Sequence, residues 1–520
     1  MAANLKEITS EIKVKYGDRT AFKFKTGKDN VREVSYNEFV DEISALGTFL
    51  LSKGLKGKHV AVLSENRYEW IVSYLAVACG VGVVVPIDRD LPEEAIHYLL
   101  SESDASAVLF SESYTDIIAG AKIPAIEYTL CFDKAEYNQA LESGNELIKS
   151  GNTDYANAEI KPEQTAAILF TSGTTGFSKG VMLTHKNIAS NIYAATAFEK
   201  FGKHETMFSI LPYHHAFELT MGIMASLVFG ATICINDSLK YFAKNLEFYK
   251  PSGMFAVPAV INAMHKKAEA AEKKFGKLLA KGGIKKAFGG NLTRIFSGSA
   301  PLKPELIEAF KRYGVQLCQG YGLTETSPVV TATDYSKLNK ENIGSVGQVI
   351  PGCEVKIVDD EILVRGDNVM TGYYKNPEAT AEAFSDGWFK TGDLGYFDDD
   401  GFLYISGRKK NVIIASGGEN VYPEEIEQFL YAVPQITDAL VYGGDGDEQN
   451  TVTAVIYPNY EDLAKKSEDE IRKIINKAVA QVNQKLPLYK HILVVKIRKT
   501  EFEKTTSRKV KRNQANTEEI

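Results

Sequence analysis

The chain has 520 residues, 44% of them hydrophobic and 24% charged, a globular balance that excludes a disordered or fibrous protein. That length exceeds the ~250–300 residues at which single cores stop growing, so more than one domain is expected. Sixty Lys and Arg against 67 Asp and Glu leave a net charge of −7, which argues against a surface that coats nucleic acid or is drawn strongly to a membrane.

At the N-terminus, Met-Ala-Ala-Asn-Leu-Lys-Glu has no apolar signal core. The longest apolar stretch, residues 74–87, is broken by Gly80 and Gly82 and is shorter than the ~20 residues of a bilayer span. Continuous apolar runs predict buried strands at residues 59–63, 81–87 and 105–110, and a helical spacing covers 68–79. Strands apolar on both faces and separated by helices imply parallel sheets covered by helices. Residues 136–163 turn polar without a period and read as an excursion or loose connection. The alternation resumes with strands at 165–170, 231–235 and 294–297, and helices at 187–198, from Pro258 and after Pro304. The lysine- and alanine-rich stretch 266–288 reads as a solvated helical face, with a lipid-surface patch as the alternative. Short strands at 354–358, 361–364, 387–391 and 402–406 follow. A compact α+β pattern begins after Gly407-Arg-Lys-Lys410. The five cysteines, Cys79, Cys131, Cys234, Cys318 and Cys353, lie far apart with no C-x-x-C pair, so neither a disulfide framework nor a zinc site is expected, and a cytoplasmic location is.

The densest chemical signal is Ile168-Leu-Phe-Thr-Ser-Gly-Thr-Thr-Gly-Phe-Ser-Lys-Gly180. Glycines at 173, 176 and 180 allow close backbone approach, and the hydroxyls of Thr171, Ser172, Thr174, Thr175 and Ser178 can wrap phosphate oxygens beside the Lys179 cation. It is not a Walker A loop, because Gly180 follows the lysine where that motif needs a hydroxyl.

This loop resembles the signature of the AMP-forming adenylating enzymes: acyl-CoA synthetases, peptide-synthetase adenylation domains and luciferases. Other segments resemble the superfamily in the same order, from about residue 15 to residue 512. The resemblance implies a large α/β N-terminal domain of helix-covered sheets with a β-rich subdomain over 1–408, a hinge at 409–410, and a small mobile α+β domain over 411–520. Gln319-Gly-Tyr-Gly-Leu-Thr-Glu325 matches the Y-G-x-T-E motif, so Tyr321 would stack on adenine, Thr324 would meet the α-phosphate, and Glu325 with Thr171 would hold Mg²⁺. The resemblance extends the nucleotide site to Ser172, Gly173, Thr174, Thr175, Gly176 and Lys179 of the loop, to Gly298, Ser299 and Ala300 at the base, and to Gln319, Gly320 and Gly322. Asp393 in Thr391-Gly-Asp would bind the ribose hydroxyls. Arg408 would join it, or else form a domain-boundary salt bridge. Lys410 falls at the hinge, and Gly417 and Gly418 would form the pantetheine passage.

In Leu211-Pro-Tyr-His-His-Ala-Phe-Glu218, His215 falls on the family histidine beside the carboxylate substrate, and His214 replaces an aromatic. In Lys504-Thr-Thr-Ser-Arg-Lys-Val-Lys-Arg512, Lys509 falls on the adenylation lysine, with Arg508 where glycine is usual and Glu503 where proline is usual. The implied reaction is ATP-dependent conversion of a carboxylic acid, in the medium- or long-chain fatty acid class, to acyl-AMP and then, with CoA, to acyl-CoA. Alternatives are a ligase loading a carrier-protein phosphopantetheine, an aryl-acid CoA ligase, and a nucleotide-binding regulator without catalysis. Expected partners are the acid, ATP, CoA and at most a peripheral membrane contact, with no nucleic acid.

Overall fold

The computed structural model describes residues 2–27, 30–171, 178–195, 204–236, 238–414, 419–444, 451–504 and 510–512. The chain forms two compact units, residues 1–354 with 364–389 and residues 355–363 with 390–520.

The first unit holds two sheets. In one, the strands run Gln348–Val349, Thr331–Ala332, Gln316–Tyr321, Arg294–Ser297, Gly253–Ala256, Thr206–Ser209, Thr232–Ile235, Thr20–Lys25 and Val31–Ser35. The six from Gln316–Tyr321 to Thr20–Lys25 pair parallel. The other sheet runs Gly372–Tyr373, Lys179–Thr184, Thr165–Thr171, Val83–Pro86, His59–Leu63, Ala105–Phe110 and Tyr128–Cys131, its last five strands parallel. The expected parallel sheets are therefore present, but antiparallel strands border them at Val31–Ser35, Thr331–Ala332 and Lys179–Thr184. Antiparallel neighbours need only a short turn, whereas each parallel pair needs a crossover helix. Those helices bury regular apolar stripes. Leu5–Tyr16, for example, buries Leu5, Ile8, Ile12 and Tyr16, and the Asn4 side chain caps it at the Glu7 amide.

Two segments depart from the sequence reading. The loose connection expected at 136–163 contains a 15-residue helix, Ala135–Lys149. Its buried residues, Tyr137, Ala140 and Gly144, recur at helical spacing, but alanine and glycine give that face little hydrophobicity within a mostly polar stretch. At Gly144 the helix packs so closely that an added Cβ would lie 2.0 Å from the Ala45 carbonyl oxygen. Tyr155, farther along, is buried against Gly47 and Gly80 and donates its hydroxyl to the Ala76 carbonyl at 3.0 Å. The helix expected over 68–79 is α-helical for Tyr68–Ala76 and then widens to a π turn over Val77–Val81.

In the second unit, strands Ile436–Gly443, Val452–Pro458 and Val494–Ile497 form a sheet. Helices Pro423–Tyr431 and Glu468–Asn483 share its core, with Ile426, Leu430, Val441, Ile456 and Ile475 buried. The short strands expected from 354 to 406 form as Cys353–Val358, Glu361–Gly366, Trp388–Phe397 and Leu403–Arg408. The change of sequence pattern at 408–411 lies inside the second compact unit, which begins earlier. Among the described residues, no helix is long and apolar enough to cross a membrane.

Candidate active site

Five neighbouring parallel strands of the larger sheet send their carboxyl ends to one edge, the usual place for ligands in open α/β sheets. Ser297 and Gln319 lie abreast in the ladder, so the segments that leave these two strands, 298–300 and 320–324, begin side by side. Gly298 is required there: a Cβ would sit 2.8 Å from the ring of Phe217. Ser299 holds a left-handed backbone at φ 69°. Gln319 is buried and its amide nitrogen donates to the Ser345 carbonyl. Gly322 approaches the Pro328 carbonyl so closely that a Cβ would lie 1.8 Å from its oxygen.

Glu325 stands on a single 3₁₀ turn, Thr324–Thr326. Buried amides brace that turn: Asn368 donates to the carbonyls of Thr326 and Val329, and Asn191 exchanges hydrogen bonds with the Val329 backbone. The Met370 amide donates to the Glu325 carbonyl at 2.8 Å. The Tyr373 hydroxyl donates to Glu325 Oε1 at 3.0 Å. Burial, reinforced by the Glu325 charge, raises the Tyr373 phenol well above its ordinary range, so it remains a donor at neutral pH.

The ammonium of Lys179 lies 4.8 Å from the centre of the Tyr373 ring. Lys179 opens the strand that returns antiparallel to Thr165–Thr171 and is registered opposite Thr171. The phosphate-type loop therefore joins two strands rather than a strand and a helix. Lys179 and Glu325 both meet Tyr373, 48 residues beyond Glu325 in sequence, and Thr171 stands opposite Lys179 in the ladder. The sequence reading did not single out Tyr373; its only mark is the Gly-Tyr-Tyr run at 372–374.

His214 and His215 follow the Thr206–Ser209 strand, and both sheets hold their segment. Asn66, beyond the His59–Leu63 strand, donates to the Leu211 carbonyl at 2.6 Å and accepts from the Tyr213 amide at 3.3 Å. His214 Nε2 lies 3.5 Å from Oδ1 of Asp88, beyond the Val83–Pro86 strand. The two imidazoles lie 4.2 Å apart. Burial, then the nearby His215 and Arg89, keeps His214 neutral. Sequence reasoning also passed over Glu218, an acid in an apolar run. It is buried at the start of the π-helical segment Phe217–Ala225, with Oε1 2.6 Å from Ser209 Oγ. Burial pushes its carboxyl up to about 8, although Ser209 and the amides of Ile210 and Leu211 favour the ionised form.

In the second unit Asp393 is buried opposite Arg408 in the ladder, with Arg408 Nε 2.7 Å from Asp393 Oδ1. Thr391 Oγ1 accepts from the Asp393 amide and donates to the Ile362 carbonyl, which fixes the turn. Burial, followed by repulsion from Arg408 and Arg512, lowers the ammonium of Lys410 from its ordinary value. Arg512 forms a bidentate pair with Glu427 at 2.7 Å for each oxygen and donates to the Val441 carbonyl. Lys504, which bridges to Val510, pairs with Asp438 at 2.8 Å. Ser172, Gly173, Thr174, Thr175, Gly176, Gly417, Gly418, Arg508 and Lys509 lie outside the described residues. Among the described residues no group of three or more His, Cys, Asp and Glu could hold a metal ion. The candidate donor set at Glu325 and Thr171 is one carboxylate and one hydroxyl, which suits Mg²⁺ shared with substrate phosphates rather than a metal enclosed by protein.

A profile of the AMP-binding enzyme family matches residues 11–374, and one of the AMP-binding enzyme C-terminal domain matches residues 410–518. The long-chain fatty acid–CoA ligase FadD15 of Mycobacterium bovis is 33% identical over 456 residues, covering 79% of this chain and 75% of that protein. A 2-succinylbenzoate–CoA ligase of Listeria monocytogenes is 29% identical over 490 residues, covering 93% and 94%. Among solved structures, ATP-bound MatB from Rhodopseudomonas palustris superposes with a TM-score of 0.81 at 26% identity, covering 99% of this chain and 98% of that one.

Proposed function

The chain belongs to the AMP-binding enzyme family, and from that premise we propose that it activates a medium- or long-chain fatty acid with ATP and transfers the acyl group to CoA. In the first step the carboxylate attacks the α-phosphorus of ATP, forming an acyl–phosphate anhydride as pyrophosphate leaves. In the second the CoA thiolate attacks the acyl carbon, forming the thioester as AMP leaves. Both chemical steps take place in a cytoplasmic protein.

The observation that carries this reading is the cluster in which Lys179, opposite Thr171 across the loop strands, and Glu325 both meet Tyr373. Adenylation brings carboxylate and triphosphate together, so donors and cations aimed at the developing charge are the chemistry needed. Tyr373 holds Glu325 Oε1, leaving the other oxygen of this carboxylate, with Thr171, to take Mg²⁺. The bound ion would neutralise phosphate charge. Thr324 and Lys179 face the phosphates in this reading, Tyr321 with Gly298, Ser299, Ala300, Gln319, Gly320 and Gly322 lines the base, and Asp393 oriented by Arg408 takes the ribose. His215 positions the carboxylate. Lys509 neutralises charge during the first step only. Residues 411–520 turn about 409–410 between the two steps, bringing Gly417 and Gly418 to the pantetheine arm.

AMP release with ATP, Mg²⁺ and CoA across short, medium, long and aromatic acids tests the proposal. Preference for medium or long chains with CoA dependence is expected. Aromatic preference would move the chain to the aryl alternative. Acid-dependent pyrophosphate exchange without acyl-CoA would identify a carrier protein as acceptor, and silence throughout would favour a non-catalytic regulator. Lys509→Ala should abolish acyl-AMP formation while sparing thioester formation from supplied acyl-AMP; equal loss of both half-reactions would refute its role.

A further inference from the structure

Charge in this chain is strongly segregated. Residues 239–286 hold eleven lysines and three glutamates, a net +8 in a chain whose total is −7, so the remainder carries −15. The segment includes the helices Phe242–Tyr249, Pro258–Phe275 and Lys277–Ala287. Each turns a narrow apolar stripe inward, with Leu246, then Ile261, Met264 and Ala268, then Ala280 and Ile284 buried. The outward faces are left to the lysines, and all eleven are exposed. The first and third helices are neighbours: Lys286 Nζ lies 3.5 Å from Glu247 Oε1. Lys273 pairs with Glu269, and among the described residues these are the only two of the eleven in an ion pair.

Large apolar side chains stand out of this same basic segment. Leu239, Tyr241, Phe248 and Phe275 are 50%, 43%, 53% and 54% exposed. The three aromatics each carry a lysine ammonium near the ring: Lys240 at 5.8 Å from Tyr241, Lys25 at 4.9 Å from Phe248 and Lys274 at 5.1 Å from Phe275. A ring that can enter a headgroup layer while its neighbouring cation stays at the phosphates is the pattern of an interfacial anchor.

We propose that the surface formed by residues 239–286 docks on an anionic lipid bilayer. Charge complementarity and exposed rings together favour that occupant. A second copy presenting the same face would set +8 against +8. A nucleic-acid surface would be expected to use arginine for bidentate phosphate contacts, and none of the eleven cations is arginine. The surface extends the expected peripheral contact to named residues and stands whatever acid the active site takes.

Co-sedimentation of the full chain with vesicles of phosphatidylcholine containing about 30% phosphatidylglycerol, against pure phosphatidylcholine, tests it. Binding only to the anionic vesicles is expected, and it should weaken sharply at about 0.5 M salt. Each lysine near an anionic surface adds roughly fivefold to partitioning, so combined Lys266→Gln, Lys267→Gln, Lys273→Gln and Lys274→Gln should cut it at least about tenfold. An independent set, Lys277→Gln, Lys281→Gln, Lys285→Gln and Lys286→Gln, should do likewise, and Phe248→Ser with Phe275→Ser should reduce the salt-resistant remainder several-fold. Undiminished binding by both lysine sets, equal binding to neutral vesicles, or retention on duplex DNA without vesicle binding would overturn the proposal.

Discussion

Replacing Glu218 by Gln should remove a pH dependence of stability that one buried carboxyl imposes on the first unit. Burial pushes that group from 4.5 up to about 8, so between those values the folded chain holds a proton that the unfolded chain has released. Stability then falls as pH rises through this window and levels off above it. At about 1.36 kcal/mol for each pH unit, the full window is worth roughly 3–5 kcal/mol. The substituted amide would keep an oxygen for Ser209 and carry no charge, so the variant's stability should lack this slope. His214, held neutral by burial, opposes this slope below its ordinary value of 6.5, where the unfolded chain binds a proton that the folded chain does not. Tyr213, whose phenol burial keeps protonated, acts only as the pH approaches 10. Groups common to both proteins cancel in the difference between them. Thermal unfolding of wild type and Glu218→Gln should therefore give close midpoints near pH 5.5 and a variant that is more stable near pH 9. For a unit of about 380 residues, a gain of roughly 3 kcal/mol corresponds to about 4 °C. A difference between the two proteins that stays constant from pH 5.5 to 9 would refute the reasoning.

Two further substitutions probe the nucleotide side. Gly322→Ala places a Cβ 1.8 Å from the Pro328 carbonyl oxygen, a backbone atom that cannot rotate away, and so must shift the turn that carries Glu325. A displacement near 1 Å costs about 100-fold, and ATP–pyrophosphate exchange should fall accordingly; near-normal exchange would show that the turn is not the site. Tyr373→Phe removes the 3.0 Å hydrogen bond to Glu325. A bond to a charged group is worth about 1.5–3 kcal/mol, so adenylation should fall roughly tenfold or more with a raised Mg²⁺ requirement, measured by titrating Mg²⁺ in the exchange assay. An unchanged Mg²⁺ profile would separate Tyr373 from the metal.

Contiguous features were legible before any coordinates. The strand at 59–63, the strand at 294–297 and the helix after Pro304 form where periodicity and proline placed them. The helix Ala135–Lys149 was passed over although Tyr137, Ala140 and Gly144 recur at helical spacing, because an alanine and a glycine packed against backbone carry most of that face. Asp393 and Arg408, suggested separately, turn out to be directly opposed in one ladder. Glu218 was passed over because nothing in the string Phe-Glu-Leu-Thr discloses burial.

The sequence by itself determined the segments whose chemistry is local: the hydroxyl- and glycine-rich loop after residue 170, the Tyr-Gly-Leu-Thr-Glu turn, the Thr-Gly-Asp turn and the run of lysines from 266. Such signals are readable because a turn, a cap or a phosphate cradle is built from a few consecutive residues. Tertiary structure alone decided how they are held. Tyr373 reaches Glu325 across 48 residues, and Asn66 grips the Tyr213 amide across 147. It decided too that Glu218 retains a proton, and that eleven lysines stand outward beside four exposed apolar side chains. Burial and long-range pairing arise only when strands distant in sequence become neighbours, and that is why no window along the chain displays them.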